Sequence, residues 1–201
     1  MNPFPQDALR ETASQTAGPY VHIGLAPQQA GLDIYHSHIG SSLSAPGAEG
    51  LPIILRGQVL DGAGAPVRDA LLEIWQADAQ GSYAPAAGGF RGWARAGTDF
   101  DTGAYRFDTI KPGRVRGRDG RWMAPHINLW LVARGINIGL NTRIYFADEA
   151  EANAADPVLQ LIEWEGRRRT LLARPEASGD EQGYRFDIHL QGERETVFFE
   201  L

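Results

Sequence analysis

Cysteine is absent from this 201-residue chain, and lysine occurs once, at Lys111. The lack of cysteine excludes disulfide bonds, thiolate zinc sites and cysteine nucleophiles. No apolar run approaches the roughly 20 residues that span a bilayer. Residues 1–12 also lack the basic start and apolar centre of a secretory signal, so we expect a cytoplasmic protein. The net charge of −6 argues against a nucleic-acid-binding face.

Several familiar catalytic signatures are also missing. The sequence has no nucleophile-elbow motif, phosphate loop, dinucleotide fingerprint or H-E-x-x-H zinc motif. Hydrophobic residues make up 43% and charged residues 22% of the chain, which is typical of a globular protein. A disordered tail, a coiled coil and a collagen-like rod are therefore excluded.

Short alternating segments separated by Gly-, Asp- and Pro-containing turns dominate the chain. The segments that we predict to be strands are residues 53–60, 70–76, 104–110, 126–133, 142–146, 184–190 and 196–199. Many short strands with frequent turns favour a β-sandwich or a barrel. We predict an all-β fold with a β-sandwich core.

The rest of the chain divides into an arm, a loop and two helices. Residues 1–50 have little apolar periodicity, and we predict an extended N-terminal arm that packs on a partner subunit, whereas residues 51–201 form a single sandwich domain. The glycine-rich residues 84–97 are predicted to form a long loop. Two short helices are predicted at residues 148–154 and 156–163, the second beginning with an Asp-Pro cap.

Two groups of polar residues are candidates for chemistry. His36 and His38 form the only H-x-H pair; on a strand they would face the same way and could share a metal. With no third ligand nearby in sequence, an exposed polar pair is the competing interpretation. In residues 126–134, period-2 spacing puts His126, Asn128 and Arg134 on one face of a strand. That face is either solvated, or it forms a polar pocket or an interface.

Six segments carry a more specific signal when they are read together. They are residues 14–20 (SQTAGPY), 57–59 (GQV), 69–78 (DALLEIWQAD), 105–113 (YRFDTIKPG), 124–128 (APHIN) and 184–188 (YRFDI). In this order and spacing, they make nearly the whole chain resemble the intradiol ring-cleaving dioxygenases. The resemblance implies cleavage of a catechol ring between its hydroxylated carbons by O2, at a mononuclear Fe(III) held by two tyrosines and two histidines.

The resemblance also implies that this chain has lost part of the iron site. Tyr83 and His126 match one tyrosine and one histidine of the family, but Val115 and Asn128 stand at the two other ligand positions. Valine has no donor atom, and a neutral amide is a poor substitute for imidazole on Fe(III). We therefore expect this chain to bind no metal by itself.

Two further positions differ from the iron-binding members that the chain resembles. Met123 stands where the family has a catalytic arginine, and Arg143 where it has a glutamine. We expect Arg143 to lie near Tyr83, His126 and Asn128 and to plug the former site. A buried guanidinium needs a partner, and we expect Tyr83, a backbone carbonyl or a carboxylate to supply it.

Two-subunit members of the family explain such losses. In them a homologous beta subunit holds the Fe(III), and the chain without iron walls the pocket in a hetero-oligomer. The resemblance implies that the substrate protocatechuate is approached by Thr16, Gly18, Pro19, Tyr20 and Arg134, and that the product is 3-carboxy-cis,cis-muconate. A guanidinium at position 134 suits the ring carboxylate of such a substrate.

Two other interpretations remain open at the level of sequence. One is a self-sufficient catechol dioxygenase with unusual ligands, which the iron content of the single chain would distinguish. The other is a non-enzymatic, transthyretin-like β-sandwich binding module. Residues 14–20 and the strand ending at Arg134 argue against the second, because such a module needs neither.

Overall fold

The computed structural model of the chain describes residues 13, 15–35, 40–43, 48–84, 90–178 and 181–200. Its strands are β1 (Pro52–Leu60), β2 (Leu71–Gln76), β3 (Trp93–Gly97), β4 (Ala104–Ile110), β5 (Val115–Arg116), β6 (Trp122–Met123), β7 (His126–Val132), β8 (Leu140–Phe146), β9 (Leu172–Ser178), β10 (Glu181–Arg185) and β11 (Ile188–His189). The α-helices are α1 (Val21–Leu25), α2 (Ala150–Ala155) and α3 (Glu165–Arg168), and 3-10 turns lie at Pro27–Ala30, Leu159–Leu161 and Arg169–Leu171. Within these ranges, no helix is both long and apolar enough to cross a membrane.

Two layers of strands form the sandwich. One layer has the order β4-β1-β10-β9, with β1 antiparallel to β4 and parallel to β10. The other has the order β3-β2-β7-β8, with every pair antiparallel. Strand β9 joins the layers, because Leu172 and Ala173 pair with β8 and the residues that follow pair with β10.

The core lies between the two layers and follows from the alternation of side chains along each strand. Leu55, Phe107 and Tyr184 from one layer meet Ile74 and Leu129 from the other, and each of these side chains is at most 2% exposed. Full burial of an aliphatic or aromatic side chain stabilises a fold by roughly 1.5–3 kcal/mol. The polar face of β7 is directed away from this core.

The predicted all-β sandwich is confirmed, and its best-patterned strands are correctly placed. Strands β1, β2, β4, β7 and β8 begin and end within two residues of the predicted bounds. The predicted strand 184–190 is divided into β10 and β11, because the Asp187 carboxylate between them accepts the N–H of Gln58 at 3.0 Å.

The strand predicted at residues 196–199 is wrong. Phe199 makes an isolated bridge to Asn141, and the backbone of Val197 is bonded to side chains instead of a strand. Its N–H donates to the Thr170 hydroxyl at 3.2 Å, and its carbonyl accepts the Thr142 hydroxyl at 2.7 Å. These hydrogen bonds to side chains take the place of the backbone hydrogen bonds that a strand would make with its neighbour.

Four strands escaped sequence-based prediction, of which β5 and β6 are only two residues long. Strand β3 lies in the predicted loop 84–97, where its small residues Ala94 and Ala96 are buried against the core. Its Arg95 forms an ion pair with Glu73 on β2, at 2.5 Å. Strand β9 contains Pro175 and few apolar residues, so its composition did not indicate a strand.

The C-terminal helices are shorter than predicted. The first is α2, two residues later than expected, and the second is a single 3-10 turn at Leu159–Leu161. The predicted cap is present, since the Asp156 carboxylate accepts the N–H groups of Val158 and Leu159 at 2.8 and 2.9 Å. Ile162 then adopts extended backbone and ends the turn.

The described part of the predicted arm is partly helical and lies on the sandwich of its own chain. His22 in α1 packs edge-on against Phe100, with ring centroids 4.9 Å apart. Gln29 accepts the N–H of Gly97 at 2.5 Å, and Leu43 is buried in the core. Residues 1–12 are outside the described part of the chain, and packing of the arm on a partner stays a prediction.

Candidate functional site

Strand β7 has polar residues at both ends, and each end is the centre of a separate group of side chains. His126 and Asn128 lie at its start, and Arg134 follows its end. At about 3.3 Å per residue, Asn128 and Arg134 are roughly 20 Å apart along the strand. We name the groups the Tyr83 cluster (Tyr83, Val115, Met123, His126, Asn128 and Arg143) and the Arg134 cluster (Thr16, Asp69 and Arg134).

A tight turn after β2 places Tyr83 over β7. The Asp78 carboxylate accepts the N–H of Ser82 at 2.8 Å. Gly81 has a φ of 83°, and a Cβ at this position would lie 1.9 Å from the carbonyl oxygen of Arg114. Glycine is therefore required here for both conformation and space.

Hydrogen bonds connect Tyr83 to the start of β7. The amide nitrogen of Asn128 donates to the Tyr83 hydroxyl at 2.9 Å and to the carbonyl of Trp75 at 3.1 Å. The Tyr83 hydroxyl lies 3.4 Å from His126 Nε2. His126 Nδ1 lies 2.8 Å from the carbonyl oxygen of Ala124, so it is the nitrogen that carries the proton and Nε2 is the acceptor.

Burial keeps this cluster uncharged apart from Arg143. Burial and the positive charge of Arg143 lower the pKa of His126 from 6.5 to about 4. Burial raises the pKa of Tyr83, although the hydrogen bond from Asn128 and the charge of Arg143 act in the opposite direction. At neutral pH the cluster therefore presents a neutral imidazole and a neutral phenol.

Arg143 lies opposite Asn128 on the neighbouring strand β8 and is half-buried. Its Nη1 donates to the sulfur of Met123 at 3.4 Å, and its side chain is hydrogen-bonded to Tyr145. The structure thus brings Arg143 to the expected place. Its partners among the described residues differ from the expected ones, because Met123 and Tyr145 take the place of Tyr83, a backbone carbonyl or a carboxylate.

A buried carboxylate lies behind Tyr145. Asp156 is fully buried and accepts the hydroxyl of Tyr145 at 3.2 Å and the N–H of Ala124 at 2.8 Å. Together with its two capping bonds, these contacts satisfy both carboxylate oxygens, as burial requires. Arg143, Tyr145 and Asp156 therefore form one polar chain that leads from β8 into the interior.

The second cluster connects the end of β7 to the arm. Arg134 forms an ion pair with Asp69. The hydroxyl of Thr16 accepts the N–H of Gly135 at 2.8 Å and lies 3.5 Å from the carbonyl oxygen of Ala133. Thr16 thus holds the backbone on both sides of Arg134, and the structure brings these two predicted site residues together.

The Arg134 cluster is open to solvent. The side chain of Arg134 is 62% exposed, and it lines a surface cavity of about 830 Å³ together with Arg68 and Leu190. His126, by contrast, is fully buried, although Arg134 and His126 belong to the same polar face of β7.

The other predicted arm residues lie on the surface beside α1. The N–H of Val21 donates to the Gly18 carbonyl at 3.2 Å, and that of Gly24 donates to the Tyr20 carbonyl at 3.0 Å. Gly18 and Pro19 are exposed, and Tyr20 is 76% exposed. These bonds belong to α1 rather than to the Arg134 cluster.

His36 and His38 lie outside the described residues. Within the described part of the chain, no group of three or more His, Cys, Asp or Glu side chains is arranged to hold a metal ion. Asp69, Tyr145 and Asp156 were not singled out for these roles from the sequence. Tyr145 was within reach of pattern analysis, because it lies two positions after Arg143 on a strand and so shares its face.

Comparison with known proteins gives a consistent result. The family model described as "Dioxygenase" matches residues 36–192. The protocatechuate 3,4-dioxygenase alpha chain of Pseudomonas putida is 53% identical over 201 residues, covering 98% of this chain and 100% of its own length. The protocatechuate 3,4-dioxygenase beta chain of Burkholderia cepacia is 37% identical over 158 residues, covering 72% of this chain and 66% of its own length.

Solved structures agree with these sequence matches. The dioxygenase domain of a dioxygenase carbohydrate-binding protein fusion from Streptomyces sp. SirexAA-E superposes with a TM-score of 0.56 and 26% identity, over 78% of this chain and 88% of that one.

Proposed function

The chain belongs to the intradiol dioxygenase family, and from that membership we propose that it is the iron-free alpha subunit of a protocatechuate 3,4-dioxygenase. Two relatives carry the alpha-chain name, and a further relative with the beta-chain name is homologous to the same chain. The observation that carries the proposal is the chemistry of the Tyr83 cluster, whose residues do not fit a ferric ion.

The donor set of that cluster argues against iron. Val115 offers no ligand atom, and the amide nitrogen of Asn128 is a donor already committed to Tyr83 and Trp75. Ferric iron takes phenolate ligands, and Tyr83 is the one phenol that this cluster contains. Intradiol dioxygenases are in general iron-dependent, so we propose that a beta subunit supplies the Fe(III).

Arg143 is the residue that we propose to plug the former site. It carries a fixed positive charge beside Asn128, where a cation would otherwise compete for the same space. Its half-buried side chain and its bonds to Met123 and Tyr145 support this role.

The Arg134 cluster supplies the proposed contribution to the shared active site. There Arg134 binds the ring carboxylate of protocatechuate across the subunit boundary, and Thr16 holds the backbone around it. Gly18, Pro19 and Tyr20 form the adjoining wall. An Fe(III) held by the partner would supply the activation of the catechol toward O2, and the product would be 3-carboxy-cis,cis-muconate.

The arm is the proposed contact with the beta subunit. It exposes large apolar side chains that a monomer has no reason to present, namely Tyr20, Ile34 and Tyr35, which are 76%, 62% and 52% exposed. In this proposal the arm completes its burial in a hetero-oligomer, in the cytoplasm.

Iron binding by a series of variants tests the proposal. We expect the full chain alone to hold no stoichiometric iron and to cleave no protocatechuate, and to support cleavage when co-expressed with a beta chain. Val115→Tyr with Asn128→His should not restore tight iron binding while Arg143 remains, and adding Arg143→Gln should improve it.

Iron content, the visible tyrosinate-to-iron absorption band and O2 uptake are the measurements. An active, iron-loaded single chain would overturn the proposal in favour of a self-sufficient catechol dioxygenase. Stoichiometric iron in the variant that retains Arg143 would contradict only the plug.

A further inference from the structure

A row of arginines crosses four neighbouring strands on the outer face of the first layer. Arg106 on β4 lies opposite Arg56 on β1, Arg56 lies opposite Arg185 on β10, and Arg185 lies opposite Arg174 on β9. Like charges directly opposite each other destabilise a sheet. The row therefore needs compensation from carboxylates.

Carboxylates of the chain compensate three of the four members. Arg56 pairs with Glu176 at 2.9 Å, Arg106 with Asp108 at 2.7 Å, and Arg185 with Asp187 at 3.0 Å. Arg174, at the β9 end of the row, is exposed, and its side chain forms neither an ion pair nor a hydrogen bond with any described residue. The positive charge of the row is therefore unbalanced at this end.

A surface cavity of about 480 Å³ opens at that end, between β9, the turn after α3 and the residues that follow β11. Arg174 and Arg185 line it from the sheet, and Arg169 and Arg194 from the other sides. Arg194 is also exposed, and its side chain, like that of Arg174, has neither an ion pair nor a hydrogen bond among the described residues.

The negative groups of the cavity are already engaged. Glu176 is bound by Arg56, and Asp187 accepts both Arg185 and the N–H of Gln58. Among the described residues, the guanidinium groups of Arg174 and Arg194 therefore remain without a counter-ion, in a chain whose net charge is −6. Leu172 and Pro175 add apolar surface to the lining.

We propose that this cavity binds a small organic dicarboxylate, with Arg174 and Arg194 each holding one carboxylate group. A guanidinium presents a planar fork that matches a carboxylate in two parallel hydrogen bonds. The volume is in the range of small-molecule sites, and the apolar lining suits a carbon skeleton, which inorganic phosphate lacks. The site is far along the chain from both ends of β7, and it does not depend on the proposed function.

Titration of the full chain with isophthalate tests this proposal by calorimetry at about 0.15 M salt, where exposed charges are already screened. We expect saturable binding of one isophthalate per chain, with benzoate and inorganic phosphate binding at least roughly tenfold more weakly. Arg174→Ala with Arg194→Ala should weaken isophthalate binding roughly tenfold to a hundredfold, because charge-assisted contacts are lost.

A matched double variant controls for net charge. Arg116→Ala with Arg118→Ala removes two exposed arginines, one at the end of β5 and one in the loop that follows it, and should leave binding unchanged. The single variant Arg174→Gln should also weaken binding, and its exposed position makes it safe for folding.

No saturable binding, equal weakening by both double variants, or equally tight binding of phosphate would overturn the proposal. The experiment measures binding of isophthalate and not ring cleavage. Its result therefore does not depend on whether the proposed function is correct.

Discussion

The two ends of strand β7 show opposite solutions for polar residues that share one face. At its start, His126 is fully buried and the polar groups around it are bonded to one another. At its end, Arg134 is mostly exposed and lines an open cavity. The first end is a closed network, whereas the second presents a charge to its surroundings.

In the proposed alpha subunit, the Tyr83 cluster shows what remains when a metal site loses its ligands. Asn128 donates its amide N–H groups to the Tyr83 hydroxyl and the Trp75 carbonyl, so both donors of that side chain are used. Arg143 is accommodated through Met123 and Tyr145. Under the proposed function, the former metal site has become part of the hydrogen-bonded interior, and substrate binding takes place at the open Arg134 cluster.

Low pH should destabilise the fold through the buried start of β7, and this is the largest effect that we predict. The pKa of His126 is about 4 in the fold, against 6.5 for the unperturbed group, so below pH 6.5 the unfolded chain binds more protons than the folded one. The free energy of unfolding should therefore fall by about 3 kcal/mol between pH 6.5 and 4 from this residue alone.

Denaturant unfolding of the full chain at several pH values measures this slope. His126→Gln should remove that part of the pH dependence whatever its effect on stability at neutral pH. Tyr83→Phe is the matched control, because it changes the same cluster and keeps the histidine. Carboxylates titrate in all three chains alike, so equal slopes for the wild type and His126→Gln would contradict the prediction.

Truncation at the open end should change substrate selection instead of stability. Arg134→Ala should lower kcat/KM for protocatechuate roughly tenfold to a hundredfold in the assembled enzyme, as expected for loss of one charge-assisted contact. The value for unsubstituted catechol, which has no ring carboxylate, should change little.

Steady-state kinetics on both substrates distinguish recognition from structure. Arg68→Ala is the control, since Arg68 is exposed and lines the same cavity but should not contact the carboxylate. Equal losses on both substrates would mean that Arg134 only maintains the fold of the loop.

Patterned residues were predictable, and residues held by long-range contacts were not. Alternation located β1, β4 and β7 because their burial repeats every second position. Strand β3 was missed because small alanines form its buried face, and alanine carries little pattern. The predicted strand at residues 196–199 failed because threonine side chains satisfy its backbone.

In the candidate site, too, some residues could be predicted from the sequence and others could not. The resemblance placed Tyr83, His126 and Asn128, and the structure brings them together. The partners of Arg143 were not predictable, because Met123 is 20 residues away in sequence and reaches it only when β6 is positioned by the fold. Asp69 likewise meets Arg134 across the sheet, since Leu71 pairs with Val132.

The smallest predicted effect is at Thr16, where one hydroxyl joins the arm to the Arg134 cluster. Thr16→Val keeps the shape of the side chain and removes the acceptor of the Gly135 N–H at 2.8 Å. Thr16 is exposed, so water replaces the lost bond and the cost should be about 1 kcal/mol or less. We expect a severalfold fall in kcat/KM for protocatechuate, because the backbone around Arg134 becomes less well positioned.

Rescue by the conservative variant decides whether that hydroxyl is responsible. Thr16→Ser retains the acceptor and should restore most of the lost kcat/KM, whereas Thr16→Val combined with Arg134→Ala should be little worse than Arg134→Ala alone, since neighbours that act through one group are not additive. If Thr16→Val and Thr16→Ser have the same kinetics, or if the double variant shows the full product of the two losses, then Thr16 acts independently of Arg134.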